Sequence, residues 1–165
     1  MEGLILKEID ENSLHVIFSQ VIRLHFLRSH SYLDKIGIYP GQAPLLFTLK
    51  KNNGQSQKEL SKKLSVAPAT ITVMVQRMEK NGYVRREIDE KDKRITRIFI
   101  NEKGIKICEE LYKIHKEIEV ECMINFKEED KILLNNLLKQ VRDNLMKACD
   151  NNNITYFCCD DKKDN

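Results

Sequence analysis

Apolar residues recur along this chain with two different periods, and the change of period divides it. From about Glu8 to Tyr32, Leu14, Ile17 or Phe18, Val21 and Leu24 follow one another at steps of three and four, which predicts a helix. A break follows at Lys35–Gly41, where Pro40 stands among glycines. Leu45, Leu46 and Leu49 predict a shorter helix over Gln42–Asn52, with Pro44 tolerated in its first turn. Ser56 followed by Glu59 is a capping-box pattern, and it opens a helix that turns Leu60 and Leu64 inward. Ser65–Ala67 is long enough only for a turn, after which Pro68 opens another helix that Gly82 closes. Beyond Gly82 the period shortens. Tyr83–Ile88 and Ile95–Ile100 are β-prone runs flanking the charged stretch DEKDKR, which predicts a hairpin. Asn101 is the expected N-cap of a long helix over Glu102–Asn125, whose seam is Cys108, Leu111, His115, Ile118 and Cys122. Leu134, Leu137, Leu138, Val141 and Leu145 mark a last helix from about Lys127 to Cys149.

The order helix, three-residue turn, helix, hairpin is that of a winged helix-turn-helix. The expected class is therefore mostly α with a small β-hairpin wing, flanked by helices that dimerise. Residues 8–34 and 102–149 form the expected dimerisation region, 40–101 the winged unit and 150–165 a disordered tail. The outer helices carry apolar stripes with too little partner surface in one chain, so a second copy is the expected cover.

The helix over 68–81 carries the chemistry. Ile71, Met74, Val75 and Met78 cluster on one face, while Ala69, Val73 and Gln76 lie opposite, flanked by Thr70 and Thr72. Short side chains let a helix backbone approach base edges. Ala69 and Val73 suit thymine methyls, Thr70 and Thr72 suit base edges or phosphates, and the Gln76 amide suits adenine. Ser65 and Pro68 border the helix start, where free N–H groups favour a phosphate. Arg77 adds positive charge beside that face. At the hairpin tip, Lys93 and Arg94 form a basic finger suited to a narrow minor groove, and Asp89 and Asp92 are expected to pair with Arg94 and fix its direction.

Composition sharpens this reading. The chain has 165 residues and 41% apolar content, enough for one domain or two small ones. Net charge is only +3, but residues 54–104 hold 12 basic and 7 acidic side chains, a modest polyanion footprint. No apolar run approaches the roughly 20 residues that a membrane helix needs. The start, MEGLILKEIDEN, lacks a secretory pattern, so a cytoplasmic protein is expected. The five cysteines form no CxxC pair, and Cys158 and Cys159 are expected to be incidental thiols of the tail. His25, His30 and His115 are scattered, so no metal and no cofactor are expected. No nucleophile–base pair or phosphate loop points to an enzyme.

The stretch QKELSKKLSVAPATITVMVQRMEKNGYVRREIDEKDKRITRIFINEKG resembles the MarR family of winged-helix transcriptional regulators. The resemblance rests on ELSKKL, the run TITVMVQRMEKNGYV and the D-x-x-D-x-R wing at Asp89, Asp92 and Arg94. One departure is Ile100–Asn101 where the family usually has Leu-Thr. The resemblance implies a homodimeric repressor, less often an activator, on palindromic double-stranded DNA. It also implies release by a small phenolic or lipophilic effector. The candidate pocket is lined by His15, Phe18, Ile22, Phe26, Tyr32, Ile38 and Phe47. Alternatives are a winged-helix protein-interaction module, or a redox- or metal-responsive regulator of the same fold.

Overall fold

The computed structural model describes residues 10–152. Six helices and three short strands follow in the order α1 (Leu14–Lys35), α2 (Gln42–Lys51), β1 (Gln55–Ser56), α3 (Gln57–Leu64), α4 (Pro68–Lys80), β2 (Val84–Ile88), β3 (Thr96–Ile100), α5 (Glu102–Cys122) and α6 (Glu128–Asn151). The predicted class, a mostly helical winged helix-turn-helix, is what the chain adopts. The predicted helix start at Glu8 and the Cys158–Cys159 pair lie outside the described residues.

Local chemistry sets most boundaries. Ser13 caps α1 by accepting the Val16 N–H. Ser56 and Glu59 close a capping box: Glu59 N–H donates to Ser56 Oγ at 3.2 Å and Ser56 N–H donates to Glu59 Oε2 at 2.7 Å. Gly82, at φ +74°, takes the left-handed turn that redirects the chain from α4 into the wing.

The sheet is antiparallel with order β1-β3-β2. Val84 pairs with Ile100 and Ile88 with Thr96, as the hairpin predicts. The two-residue β1 was not legible, because its pairing of Gln55 with Ile98 leaves no local signature. One core underlies the winged unit. Leu45, Leu46 and Leu49 of α2, Leu60 of α3, Ile71, Val75 and Met78 of α4, Ile98 of β3 and Leu111 of α5 are fully buried in it.

The seam of α5 differs from expectation. Gly104, Cys108, Leu111, Ile114 and Ile118 are buried, whereas His115 and Cys122 are exposed. His115 turns toward an open cavity beside Phe47, with ring centroids 5.7 Å apart, while Ile114, which the sequence also places on the apolar stripe, is packed. Between α1 and α5, Glu121 accepts from Arg28 Nε and from the Tyr32 hydroxyl, each at 2.7 Å. The Arg28 guanidinium holds the Glu121 carboxyl down to about 2.

Gly104 lies where α5 leaves the sheet. A Cβ there would overlap the Tyr83 carbonyl oxygen and stand 2.8 Å from Ile100 Cγ1. That carbonyl already accepts the Asn101 N–H at 2.9 Å, so it cannot retreat freely. Gly→Ala in an open helix gains about 1 kcal/mol. Here Gly104→Ala should instead destabilise by about 1–3 kcal/mol through overpacking. A lower urea midpoint checks this.

Candidate nucleic-acid interface

The turn between α3 and α4 is held by its own polar groups. Ser65 ends α3 in the left-handed region at φ 51°, Val66 N–H donates to Ser61 O at 3.1 Å, and Ser61 Oγ donates to Val66 O at 2.7 Å. Helix α4 then buries Ile71, Val75 and Met78. Ser65, Pro68, Ala69, Thr70, Val73, Gln76 and Arg77 are exposed. Val73, an apolar residue, is 47% exposed. The start of α4 has no side-chain cap, so its first-turn N–H groups are not claimed by one.

Thr72 is placed differently from its neighbours. Its hydroxyl donates toward Gln57 Oε1 at 2.9 Å and lies 3.0 Å from Pro68 O. It joins α4 to α3, and only the lone pairs of its oxygen remain for a ligand. Sequence reading missed Gln57, because nothing local to α3 signals a partner fifteen residues on.

At the wing, Asp89 and Asp92 divide the work. Asp92 accepts Arg94 Nε at 3.0 Å and Arg94 Nη2 at 3.1 Å, and also the Arg94 backbone N–H at 3.0 Å. The Arg94 side chain remains 91% exposed. Asp89 does not pair with Arg94. It accepts the N–H groups of Lys91 and Asp92, each at 2.9 Å, and an ion pair from Arg97 Nε. The Arg97 bond lowers the Asp89 carboxyl to about 2, with the two backbone bonds adding to it. Arg97 further donates to Gly54 O at 3.0 Å and stands 3.7 Å from Glu59. The hairpin fold brings Arg97 of β3 back beside Asp89, a contact that spacing along the chain does not show. Arg97 thereby ties the wing tip to β1 and to the capping box of α3. Glu79 of α4 binds Arg86 of β2, a second strap between helix and wing.

A cavity of about 480 Å³ opens between α1, α2 and α5. Of the predicted lining, Ile22, Phe26 and Phe47 contribute, joined by His25, Leu33, Pro40 and His115. His15 and Phe18 are not part of its wall. Tyr32 belongs to the Arg28–Glu121 clamp, and Ile38 is buried in the core. Partial desolvation beside α1 and α2 pushes the His115 ring toward the neutral form, with His25 adding to the effect. Among the described residues, no group of three or more His, Cys, Asp or Glu side chains is placed to hold a metal, and no helix is long and apolar enough to cross a membrane.

A family model described as "MarR family" matches residues 38–96, from the turn before α2 to the start of β3. This span holds the helix-turn-helix and the first strand and tip of the wing. Over this span the chain matches the MarR family. YwoH of Bacillus subtilis (strain 168), named an uncharacterized HTH-type transcriptional regulator, is 29% identical over 131 residues, covering 79% of this chain and 94% of that one. The crystal structure of a MarR transcriptional regulator from Methanosarcina mazei Go1 is 29% identical with a TM-score of 0.69, covering 82% and 97%. A MepR mutant from S. aureus bound to an oligodeoxyribonucleotide shares the fold, with a TM-score of 0.61 at 21% identity over 81% and 98% of the two chains. The Bacillus relative and the Methanosarcina structure that this chain is similar to are both named transcriptional regulators.

Proposed function

We propose that the protein is a ligand-responsive transcriptional repressor that binds palindromic operator DNA as a homodimer. The observation that carries this reading is the exposed face of α4 beside a wing whose Arg94 is exposed and braced by Asp92. In the complex α4 lies in the major groove. Ala69 and Val73 meet thymine methyls, Gln76 reads adenine, and Ser65, Thr70 and Arg77 contact backbone or base edges. The first-turn N–H groups after Pro68 receive a phosphate. Lys93 and Arg94 enter the adjacent minor groove. Thr72 holds the helix in register through Gln57.

The second copy is supported by the apolar faces of α1 and α6. Helix α6 buries none of its residues, and Leu14, Val21 and Leu24 of α1 are exposed. Paired with a twin, these faces would set two α4 helices about one DNA turn, roughly 34 Å, apart. A dimer seated over a promoter represses by exclusion, in the cytoplasm where the DNA lies. The cavity between α1, α2 and α5 suits a small phenolic or lipophilic effector, because its wall is mainly apolar and aromatic. An effector acts by favouring one spacing of the recognition helices over another.

Selection of bound duplexes from a random-sequence pool tests this. The expected product is an inverted repeat whose affinity falls steeply with salt, as phosphate contacts require. A pool that stays unenriched at low salt would overturn the reading. Placing the enriched repeat across a reporter promoter should lower its output.

A further inference from the structure

We infer that Tyr39 is a positioning residue for DNA contact, holding Arg77 of the recognition helix in place from outside that helix. The inference rests on the DNA-binding reading above and extends it to a residue that no sequence motif marked. Tyr39 stands in the turn between α1 and α2, 38 positions before its partner. The Arg77 guanidinium carbon lies 5.7 Å from the Tyr39 ring centroid, within cation–π range.

The turn that carries the ring is itself fixed. Ile38 before it is buried in the core. The Tyr39 N–H donates to Gln42 Oε1 at 3.1 Å, and the Gln42 N–H donates back to Tyr39 O at 2.8 Å. Gln42 is the buried polar residue of the core, so this reciprocal pair is shielded from water. Gly41 faces α4 as well: a Cβ there would stand 3.2 Å from Met74 Sδ. Two neighbouring positions of one rigid turn thus abut successive turns of α4, at Met74 and at Arg77.

Tyr39 is 57% exposed, more surface than a core role would leave. Its position gives it another task. A free Arg side chain samples many rotamers and loses that freedom when it grips a phosphate. Resting on a ring whose backbone is held by the reciprocal bonds to Gln42, Arg77 starts with part of that ordering done. Substitution of the ring therefore acts on DNA affinity through Arg77 and leaves the fold alone.

The test uses the full chain and the duplex enriched from the random pool, followed by fluorescence anisotropy across a salt series. Tyr39→Phe keeps the ring and should bind within about twofold of wild type, whereas Tyr39→Leu keeps apolar bulk without the π face and should lose about three- to fivefold per half-site. Arg77→Ala should lower the slope of log K against log salt by about one per half-site, and Tyr39→Leu should move the slope the same way. In the double variant, Tyr39→Leu should add no loss beyond Arg77→Ala, because the two side chains act as one unit. A Tyr39→Leu protein that binds like wild type overturns the inference while leaving DNA binding intact. So does a double variant whose losses multiply. Failure of the wild type to bind any duplex overturns the DNA-binding reading, and this inference with it.

Discussion

Leu138→Asp should convert the protein to a monomer and abolish tight operator binding. Leu138 sits mid-way along a stripe of α6 that includes Leu137, Val141 and Leu145, all exposed in the single chain. Helix α1 carries a comparable stripe, in which Leu24 is 65% exposed. Each such side chain contributes about 1.5–3 kcal/mol when buried. Association costs about 4–15 kcal/mol. Several stripes from two protomers therefore exceed the cost of pairing, whereas a protomer alone gains nothing from them. Two-fold symmetry would repeat the aspartate, burying two unpaired carboxylates at a loss of about 3–5 kcal/mol or more. Uncoupling the two half-sites should then weaken operator binding by roughly 100-fold or more, the usual scale of lost avidity. Light scattering should report half the wild-type mass. The winged unit should stay folded, since its core lies elsewhere: Leu45, Ile71 and Leu111 are fully buried there. A variant that remained dimeric and kept its affinity would show that this stripe is not the interface.

Arg94→Ala should weaken operator binding about 30- to 1,000-fold, from a contact of about 1–2 kcal/mol at each of two half-sites. It should leave thermal stability unchanged. Arg94 is almost wholly exposed, and its bonds to Asp92 stay within one loop. Exposed pairs of this kind contribute little to folding. In the complex the same geometry matters more. Nε and one Nη2 donor are held by Asp92, and the remaining guanidinium donors are free to meet base edges or sugars in the minor groove. The loss should be largest on duplexes with A·T-rich flanks, where the groove is narrow and its potential most negative. Asp92→Asn keeps the arginine but removes the charge that orients it, so an intermediate loss is expected. Equal affinity of the wild type and Arg94→Ala for A·T-flanked and G·C-flanked sites would place the wing away from the DNA.

The ordering of elements was legible because local signals agreed. The capping box at Ser56 and Glu59, Pro68 at a helix start, Gly82 at its end and the period change beyond it all act within a few residues. The buried and exposed faces of α4 were legible for the same reason, since a helix of known start projects its side chains at fixed angles. What failed was pairing at a distance. Asp89 was expected to meet Arg94, five positions on, but the hairpin returns Arg97 to it. Asp92 alone takes Arg94. Thr72 looked like a free hydroxyl until Gln57 was brought beside it. Tyr39 carried no motif at all, and its place over Arg77 follows from how the α1–α2 turn packs on α4.

The cavity teaches the same lesson. Aromatic and apolar residues of α1 and α2 were plausible lining, yet Ile38 is spent on the core and Tyr32 on Glu121, while His115 of α5 faces the opening. Sequence alone determined the winged class, the order of its elements and the two faces of α4, because hydrophobic period, caps and breakers operate over one or two turns. Tertiary structure alone decided which carboxylate holds which arginine, which hydroxyl is already bonded and which side chains border the cavity. Those outcomes depend on approaches between segments far apart in the chain, and side-chain bonds form only after the backbone has brought them within about 3 Å.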